Sequence, residues 1–306
     1  MKSIVVALGG NALLNPSGKQ SLSKENKNID AVSKSIAKFC KGSNRTIVIT
    51  HGNGSQVGDE LMRNEHAKNY VPKLPLYILN AETQALIGTI IETSLRNNLS
   101  LVGSNRDVCV ILAHVMVDRD DIAFKRPTKQ VGPFYSKGEL DDELRLDKFS
   151  YIKFGPKYRR VVASPRPKVI LEAETIMTEA KRKIVVTCGG GGIPTIKTGK
   201  QLSSVNAVID KDLTTQLLAS SIGAETLVIL TNAEYIYGNY EKKTNPVKEI
   251  RATVLKKKLD TFEEGTIRPK VEACIKFIEN GGKEAYIGNV YKLQDILSGK
   301  SGTRII

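Results

Sequence analysis

The chain contains no tryptophan, and aromatic residues make up only 6% of its 306 positions. Its basic residues are dispersed through helical and loop patterns rather than interleaved with aromatics, so a stacking platform for nucleic acid is not expected. Four cysteines, Cys40, Cys109, Cys188 and Cys274, are far apart, with no CxxC pair and no histidine close enough to complete a metal set. That spacing excludes a zinc-binding cluster and a disulfide framework, and it fits reduced core thiols in a cytoplasmic protein. No apolar run reaches transmembrane length. The opening MKSIVVALGG is interrupted by glycine and asparagine with no cleavage site after it, so it reads as a first strand and not a signal peptide. GxxxxGK[ST] and GxGxxG are both missing, which excludes a P-loop NTPase and an ordinary dinucleotide-binding dehydrogenase.

What the chain has instead is positive charge and glycine. Lys and Arg outnumber Asp and Glu by 46 to 32, a formal charge of +14, which favours anionic partners. Three β-branched runs stop in glycine: IVVALGGNALL from Ile4, TIVITHGNGSQVG from Thr46 and KIVVTCGGGGIP from Lys183. Each reads as a buried parallel strand opening into a loop of bare backbone N–H groups. Glycine lets such a loop approach an anion closely, and a following helix N-terminus adds partial positive charge. Ligands of open α/β sheets bind outside the carboxyl ends of the strands, so three such loops can converge on one crevice. Phosphate handling is the chemistry these loops suggest, although glycine also simply ends strands.

Apolar runs alternate with helical patterns through most of the chain, the signature of βαβ units and a largely parallel sheet. At 41% hydrophobic content the chain buries a substantial core as one large domain or two fused lobes. Ile29, Val32, Ile36 and Phe39 recur at helical spacing. A second helix is expected after Asn80, with Leu86, Ile87, Ile90, Ile91 and Leu95 on one face, followed by a strand from Val108 to Val117. From about Asp118 to Arg166 the pattern gives way to Pro, Gly and charge, with Phe134, Tyr135, Tyr151, Phe154 and Tyr158 interspersed; this reads as a lid-like excursion from the main sheet. The rhythm resumes from Val169 with a helix through Lys181. A further helix follows IDKD, and another is opened by Pro269. Lys270 then lies in a helix's first turn, the wrong end for a cation unless an anion binds there too.

In this order GGNAL, THGNGSQVG, PTKQVGPFY, GGGGIP, VIDKD and RPKVEA closely resemble the carbamate kinases of the amino acid kinase superfamily, over essentially the whole length. Many superfamily members carry a lysine just before the first paired glycines, where this chain has Ala7 and Leu8. Carbamate kinases share that gap and supply the cation from the PTK motif, here Lys129. The resemblance implies an α/β fold, a three-layer α/β/α sandwich with a mainly parallel central sheet and a small protruding lid subdomain. It implies a single domain over 1–306. An N-terminal carbamate and dimerisation lobe spans about 1–180 with the lid at about 118–166, and a nucleotide lobe spans about 181–306. It further implies a homodimer and reversible phosphoryl transfer between ATP and carbamate with Mg²⁺, giving ADP and carbamoyl phosphate.

By motif, Gly9, Gly10 and Asn11 would face the transferring group, and Gly52, Asn53 and Gly54 would close the carbamate pocket. Lys129 would reach in from the lid. Lys211 and Lys270 would hold the β- and γ-phosphates, while Asp212, with Asp210 nearby, orients those lysines or engages Mg²⁺. Thr231 and Tyr237 resemble the nucleotide-contacting region, with core packing an equal account of the tyrosine. Mg²⁺ would be carried mainly by the nucleotide phosphates. His51 adjoins the second loop with a structural role expected, and the tetraglycine is expected beside the nucleotide half. The chain departs from the family at Ser55, where proline is usual, and at Ile267 and Arg268 in GTIRPK. It departs again at Asn232, Ala233 and Glu234. Arg268 is expected to add a phosphate contact or point to solvent. The alternatives are another amino acid kinase with a different acceptor, or a non-catalytic nucleotide-binding homologue.

Overall fold

The computed structural model describes residues 2–9, 22–53, 56–144, 150–239, 244–263 and 265–306. Gly10, Asn11 and Gly54, expected in the site, and Ser55 lie outside the described residues.

Strand β1 (Ser3–Leu8) leads to helix α1 (Leu22–Cys40), β2 (Thr46–His51), α2 (Gln56–Ala67) and α3 (Leu76–Leu101). Then come β3 (Asp107–Ile111), β4 (His114–Val117), β5 (Lys129–Tyr135), α4 (Lys137–Leu144), β6 (Ser150–Phe154), β7 (Lys157–Val162) and β8 (Pro167–Ile170). The second half runs through α5 (Ala173–Ala180), β9 (Lys183–Thr187), β10 (Ile193–Thr198), β11 (Gln201–Ser204), α6 (Lys211–Ser221) and β12 (Thr226–Thr231). It closes with β13 (Ile236–Asn239), β14 (Thr244–Val247), β15 (Glu249–Ile250), α7 (Ala252–Lys257), α8 (Arg268–Glu279), β16 (Glu284–Asn289), α9 (Leu293–Leu297) and β17 (Thr303–Ile305).

The central sheet has eight strands in the order β15-β17-β16-β12-β1-β2-β9-β3. All its pairings are parallel except β16 with β17. Because a strand's side chains alternate between faces, its buried runs feed two cores. Ile4, Val6 and Leu8 pack with Ile36 of α1, Ile91 and Leu95 of α3 and Ile296 of α9. Val5 and Ala7 point the other way, onto Leu218 of α6 and Val271 and Cys274 of α8. Helices therefore cover both faces, which is the expected three-layer α/β/α arrangement.

The excursion leaves and returns on adjacent antiparallel strands, β4 and β8, within a second sheet ordered β11-β10-β4-β8. Its tip is a three-stranded antiparallel sheet, β5-β7-β6, with α4 alongside. Phe134 meets Phe154, and Tyr135 meets Tyr151, edge to face, so the aromatics of this segment pair with one another on its half-exposed surface.

Three boundaries differ from the sequence pattern. The expected strand from Val108 to Val117 is two strands in two sheets. The chain breaks at Leu112 and Ala113, where Gln84 Oε1 accepts from the Ala113 N–H at 3.1 Å and ends the ladder. The second helix begins at Leu76, after Pro75, rather than beyond Asn80. Asn80 is buried inside it and donates to Ala207 O at 2.8 Å, so this polar residue ties the helix to a distant segment. Val169 belongs to β8, and the helix expected through Lys181 spans Ala173–Ala180.

Candidate active site

Strands β1, β2 and β9 end at neighbouring points of the sheet, and β1 is stitched there to β12 on one side and to β2 on the other. Gly9 N donates to Leu230 O and Gly52 N donates to Leu8 O, each at 3.0 Å. Gly9, Gly52 and Asn53 thus stand side by side at the carboxyl edge, where a parallel sheet offers a binding crevice. The tetraglycine after β9 lies against this second loop. Gly190 has φ +62°, and a Cβ there would sit 2.6 Å from Asn53 Nδ2, so only glycine lets the turn and Asn53 coexist. The same turn reaches the IDKD segment, because Thr214 Oγ1 donates to Gly191 O at 3.1 Å. The tetraglycine is therefore wedged between the GNG loop and the start of α6, not confined to one half.

Four charged side chains expected in the site meet at the first turns of two helices, and a fifth arrives from the excursion. Asp210 is the N-cap of α6, its Oδ1 accepting from Asp212 N at 2.9 Å and from Leu213 N at 3.4 Å. Lys211 Nζ donates to Asp212 Oδ1 at 2.5 Å, and Lys270 Nζ donates to Asp212 Oδ2 at 3.1 Å. Lys270 also donates to Thr266 O at 2.9 Å, at the entry to α8. Lys129, the first residue of β5, donates to Asp210 Oδ2 at 2.9 Å. Three cations thus face two carboxylates at two helix N-termini, where the backbone adds further positive potential. The balance favours an anion.

The electrostatics follow from burial. Desolvation pushes the Asp212 carboxyl up, but Lys211 and Lys270 on its two oxygens overcome it and hold it well below the usual range. Burial lowers Lys211, with Asp212 opposing. Asp210 is raised by burial and brought back below its ordinary value by Lys129. His51, fully buried, is pushed down to about 4 by desolvation, against the hydrogen bond to Gly52 O at 3.1 Å. It is neutral at pH 7 and supports the loop, as expected. Burial raises the thiols of Cys188 and Cys274, and all four cysteines are free.

Thr231 lies at the carboxyl end of β12, beside β1, and Tyr237 lies in a separate two-stranded sheet. Thr231 ends β12 and its carbonyl accepts from Val290 N at 3.0 Å. Tyr237 sits on the β13-β14 hairpin with its ring 6.4 Å from that of Tyr235. Among the described residues, no hydrogen bond or ion pair joins either one to the lysine cluster. Arg268 forms an ion pair with Asp260 at 2.7 Å, and Glu234 is held by Lys292 at 2.7 Å and Ser301 at 3.0 Å. Two residues of the site's framework escaped the sequence reading. Gln84, buried in α3, accepts from both Ala113 N and Gly189 N and so anchors the tetraglycine. Its position on the apolar stripe, between Asn80 and Ile87, was the signal for it. Gly58 of α2 is the other: a Cβ there would lie 2.6 Å from the Gly132 backbone of β5.

Among the described residues, no group of three or more His, Cys, Asp or Glu side chains gathers to hold a metal ion. Both site carboxylates are engaged by lysines, so a divalent ion held by protein side chains does not fit this donor set. No helix among the described residues is long and apolar enough to cross a membrane.

The model of the Amino acid kinase family matches residues 2–289. Carbamate kinase 2 of Staphylococcus aureus is 39% identical over 312 residues, covering 99% of this chain and 99% of that protein. Carbamate kinase of Halobacterium salinarum is 38% identical over 320 residues, covering 100% of this chain and 99% of the other. Among solved structures, carbamate kinase from Giardia lamblia bound to AMP-PNP superposes with a TM-score of 0.91 at 35% identity, covering 100% of this chain and 98% of that one.

Proposed function

This chain belongs to the amino acid kinase family, and we infer that it is a carbamate kinase, transferring a phosphoryl group reversibly between ATP and carbamate. The observation that carries this reading is Lys129. A lysine from the excursion meets the Asp210–Lys211–Asp212–Lys270 cluster beside a first loop where Ala7 and Leu8 leave no cation.

Carbamate is already ionised, so its attack on the γ-phosphoryl needs no general base. The difficulty is bringing two anions together, and it is met by cations and N–H donors. Lys129 faces the transferring phosphoryl from the excursion's side. Lys211 and Lys270 take the β- and γ-phosphates and offset the charge that develops on the leaving oxygen. Asp212, with one oxygen on each, offsets the repulsion between these two lysines and holds them close together. The GNG loop, with Asn53 braced by Gly190, closes the carbamate pocket with Gly9, Gly10 and Asn11, and Gly54 completes it. Thr231 and Tyr237 belong to the nucleotide side, and Asp210 stands at the start of α6 against Lys129. Mg²⁺ would be carried on the nucleotide phosphates and would supply charge neutralisation there.

The lobe expectation fits this division. Residues up to about 180 carry the carbamate loops and the lid at about 118–166, and residues from about 181 carry the nucleotide groups. A cytoplasmic homodimer accords with the free thiols and with β3, an open edge of the large sheet. The exposed apolar residue Leu112 directly follows that edge strand. Light scattering reads the dimer directly.

The substrate assignment is tested with a panel of phosphoryl donors, ADP and Mg²⁺. Carbamoyl phosphate should yield ATP at least tenfold faster than acetyl phosphate, a discrimination within reach of a site built around specific polar contacts. Equal rates across the panel would favour a kinase with another acceptor. ADP binding with no ATP from any donor would favour a non-catalytic homologue.

A further inference from the structure

Asp210 divides its two oxygens between two tasks. Oδ1 caps α6 through the N–H groups of Asp212 and Leu213, while Oδ2 receives Lys129. The capping bonds fix the carboxylate to the helix start, so Oδ2 is a rigid negative post. Lys129 needs one. It sits at the first residue of β5 with its side chain about a third exposed, and a free lysine stem samples many rotamers. Two residues after Lys129 and two before Asp210, Val131 and Val208 belong to one buried cluster with Val57 and Leu61. Segment 129–131 is thus joined to segment 208–210 by two rungs, one apolar and one ionic.

We propose that Asp210 is a positioning residue for Lys129, holding its ammonium in reacting register at the start of α6 before substrate arrives. This rests on the carbamate kinase reading. An ammonium has three donors, and Asp210 takes one. The remaining donors are left for the phosphoryl group, so Lys129 need not leave its post to act. Asp210 touches no reacting atom and acts through the lysine.

The two tasks separate by mutation, because Asn and Ser cap helices nearly as well as Asp but carry no charge, whereas Ala does neither. Asp210→Asn, Asp210→Ser and Asp210→Ala should all lose about tenfold or more in kcat for ATP formation from carbamoyl phosphate, with KM for ADP within about twofold of wild type. Only Asp210→Ala should also lose thermal stability, by about 2–4 °C. A purely structural Asp210 would give the opposite pattern, with kcat falling only where Tm falls. Wild-type kcat in the Asn and Ser variants overturns the proposal, as does a raised Mg²⁺ requirement, which would place Asp210 on the metal. Wild-type protein that forms no ATP overturns the underlying reading, whereas an active wild type with an unimpaired Asp210→Asn overturns this proposal alone.

Discussion

Lys270 donates to Asp212 Oδ2 at 3.1 Å, tying the first turn of α8 to the first turn of α6. Lys211 holds the other oxygen of the same carboxylate. Two lysines of like charge are thereby kept close at a buried point where neither would otherwise settle. On the proposed reading this prepares a phosphate-binding pair in advance, and the cost is one buried carboxylate that must remain ionised.

Asp212→Asn should therefore reach beyond catalysis. The side chain is 5% exposed, and removing its charge takes the shared carboxylate from two part-buried lysines, a loss of about 3–5 kcal/mol for breaking such a group. Denaturant titration at pH 7 reads it. The folded carboxyl is depressed below the unfolded value, so its contribution is complete above the ordinary carboxylate range near pH ~4 and fades as pH falls below it. The stability gap between wild type and variant should accordingly narrow on acidification from about pH 5 to about pH 2.

Lys129→Ala should lower kcat by about a hundredfold or more, the scale of deleting one donor to a developing charge. ADP affinity, measured by calorimetry, should stay within about twofold, because Lys211 and Lys270 still hold the phosphates. A fully active variant would remove Lys129 from the site.

His51 is buried and neutral, with a folded pKa of about 4 against an ordinary value of 6.5. Its ring C–H resonances should titrate with a midpoint of about 4, and the activity profile between pH 6 and 8 should carry no step from it. Because the folded pKa lies below the unfolded one, its stabilising contribution is complete above 6.5 and is lost as pH falls from 6.5 through about 4. A midpoint near 6.5 would mean that the ring is solvated.

The Gly58 to Gly132 contact sets how closely α2 approaches β5, the strand that starts with Lys129. Gly58→Ala should push the two apart and cost about 1–3 kcal/mol, the usual range for overpacking. It should lower kcat more than ADP affinity, since the displaced strand carries Lys129. Thermal unfolding and steady-state kinetics check both parts.

Much of this architecture was legible in the chain. Glycine-ended β-branched runs marked β1, β2 and β9, and helical spacing marked α1, α6 and α8, because period and punctuation are local properties. The site lysines were found by motif, and the structure brings Lys129, Lys211 and Lys270 together on Asp210 and Asp212. What the pattern hid were long-range effects. The break at Leu112 and Ala113 interrupts an apolar run with no Gly or Pro to signal it; its cause is Gln84, on another element. Asn80 looked like a helix start because asparagine caps helices, yet it is buried a turn inside, paired with Ala207. Gly58 meets Gly132 only once the excursion folds back onto α2. Thr231 and Tyr237 make no hydrogen bond or ion pair to the lysine cluster among the described residues.

The most direct measurement follows the phosphorus itself. Purified protein incubated with ADP, Mg²⁺ and carbamoyl phosphate is monitored by ³¹P NMR beside an enzyme-free control. The account predicts that the carbamoyl phosphate resonance is replaced, one for one, by the γ-phosphoryl resonance of ATP. Carbamoyl phosphate that decays only to inorganic phosphate, at the control rate and with ADP bound, would contradict it.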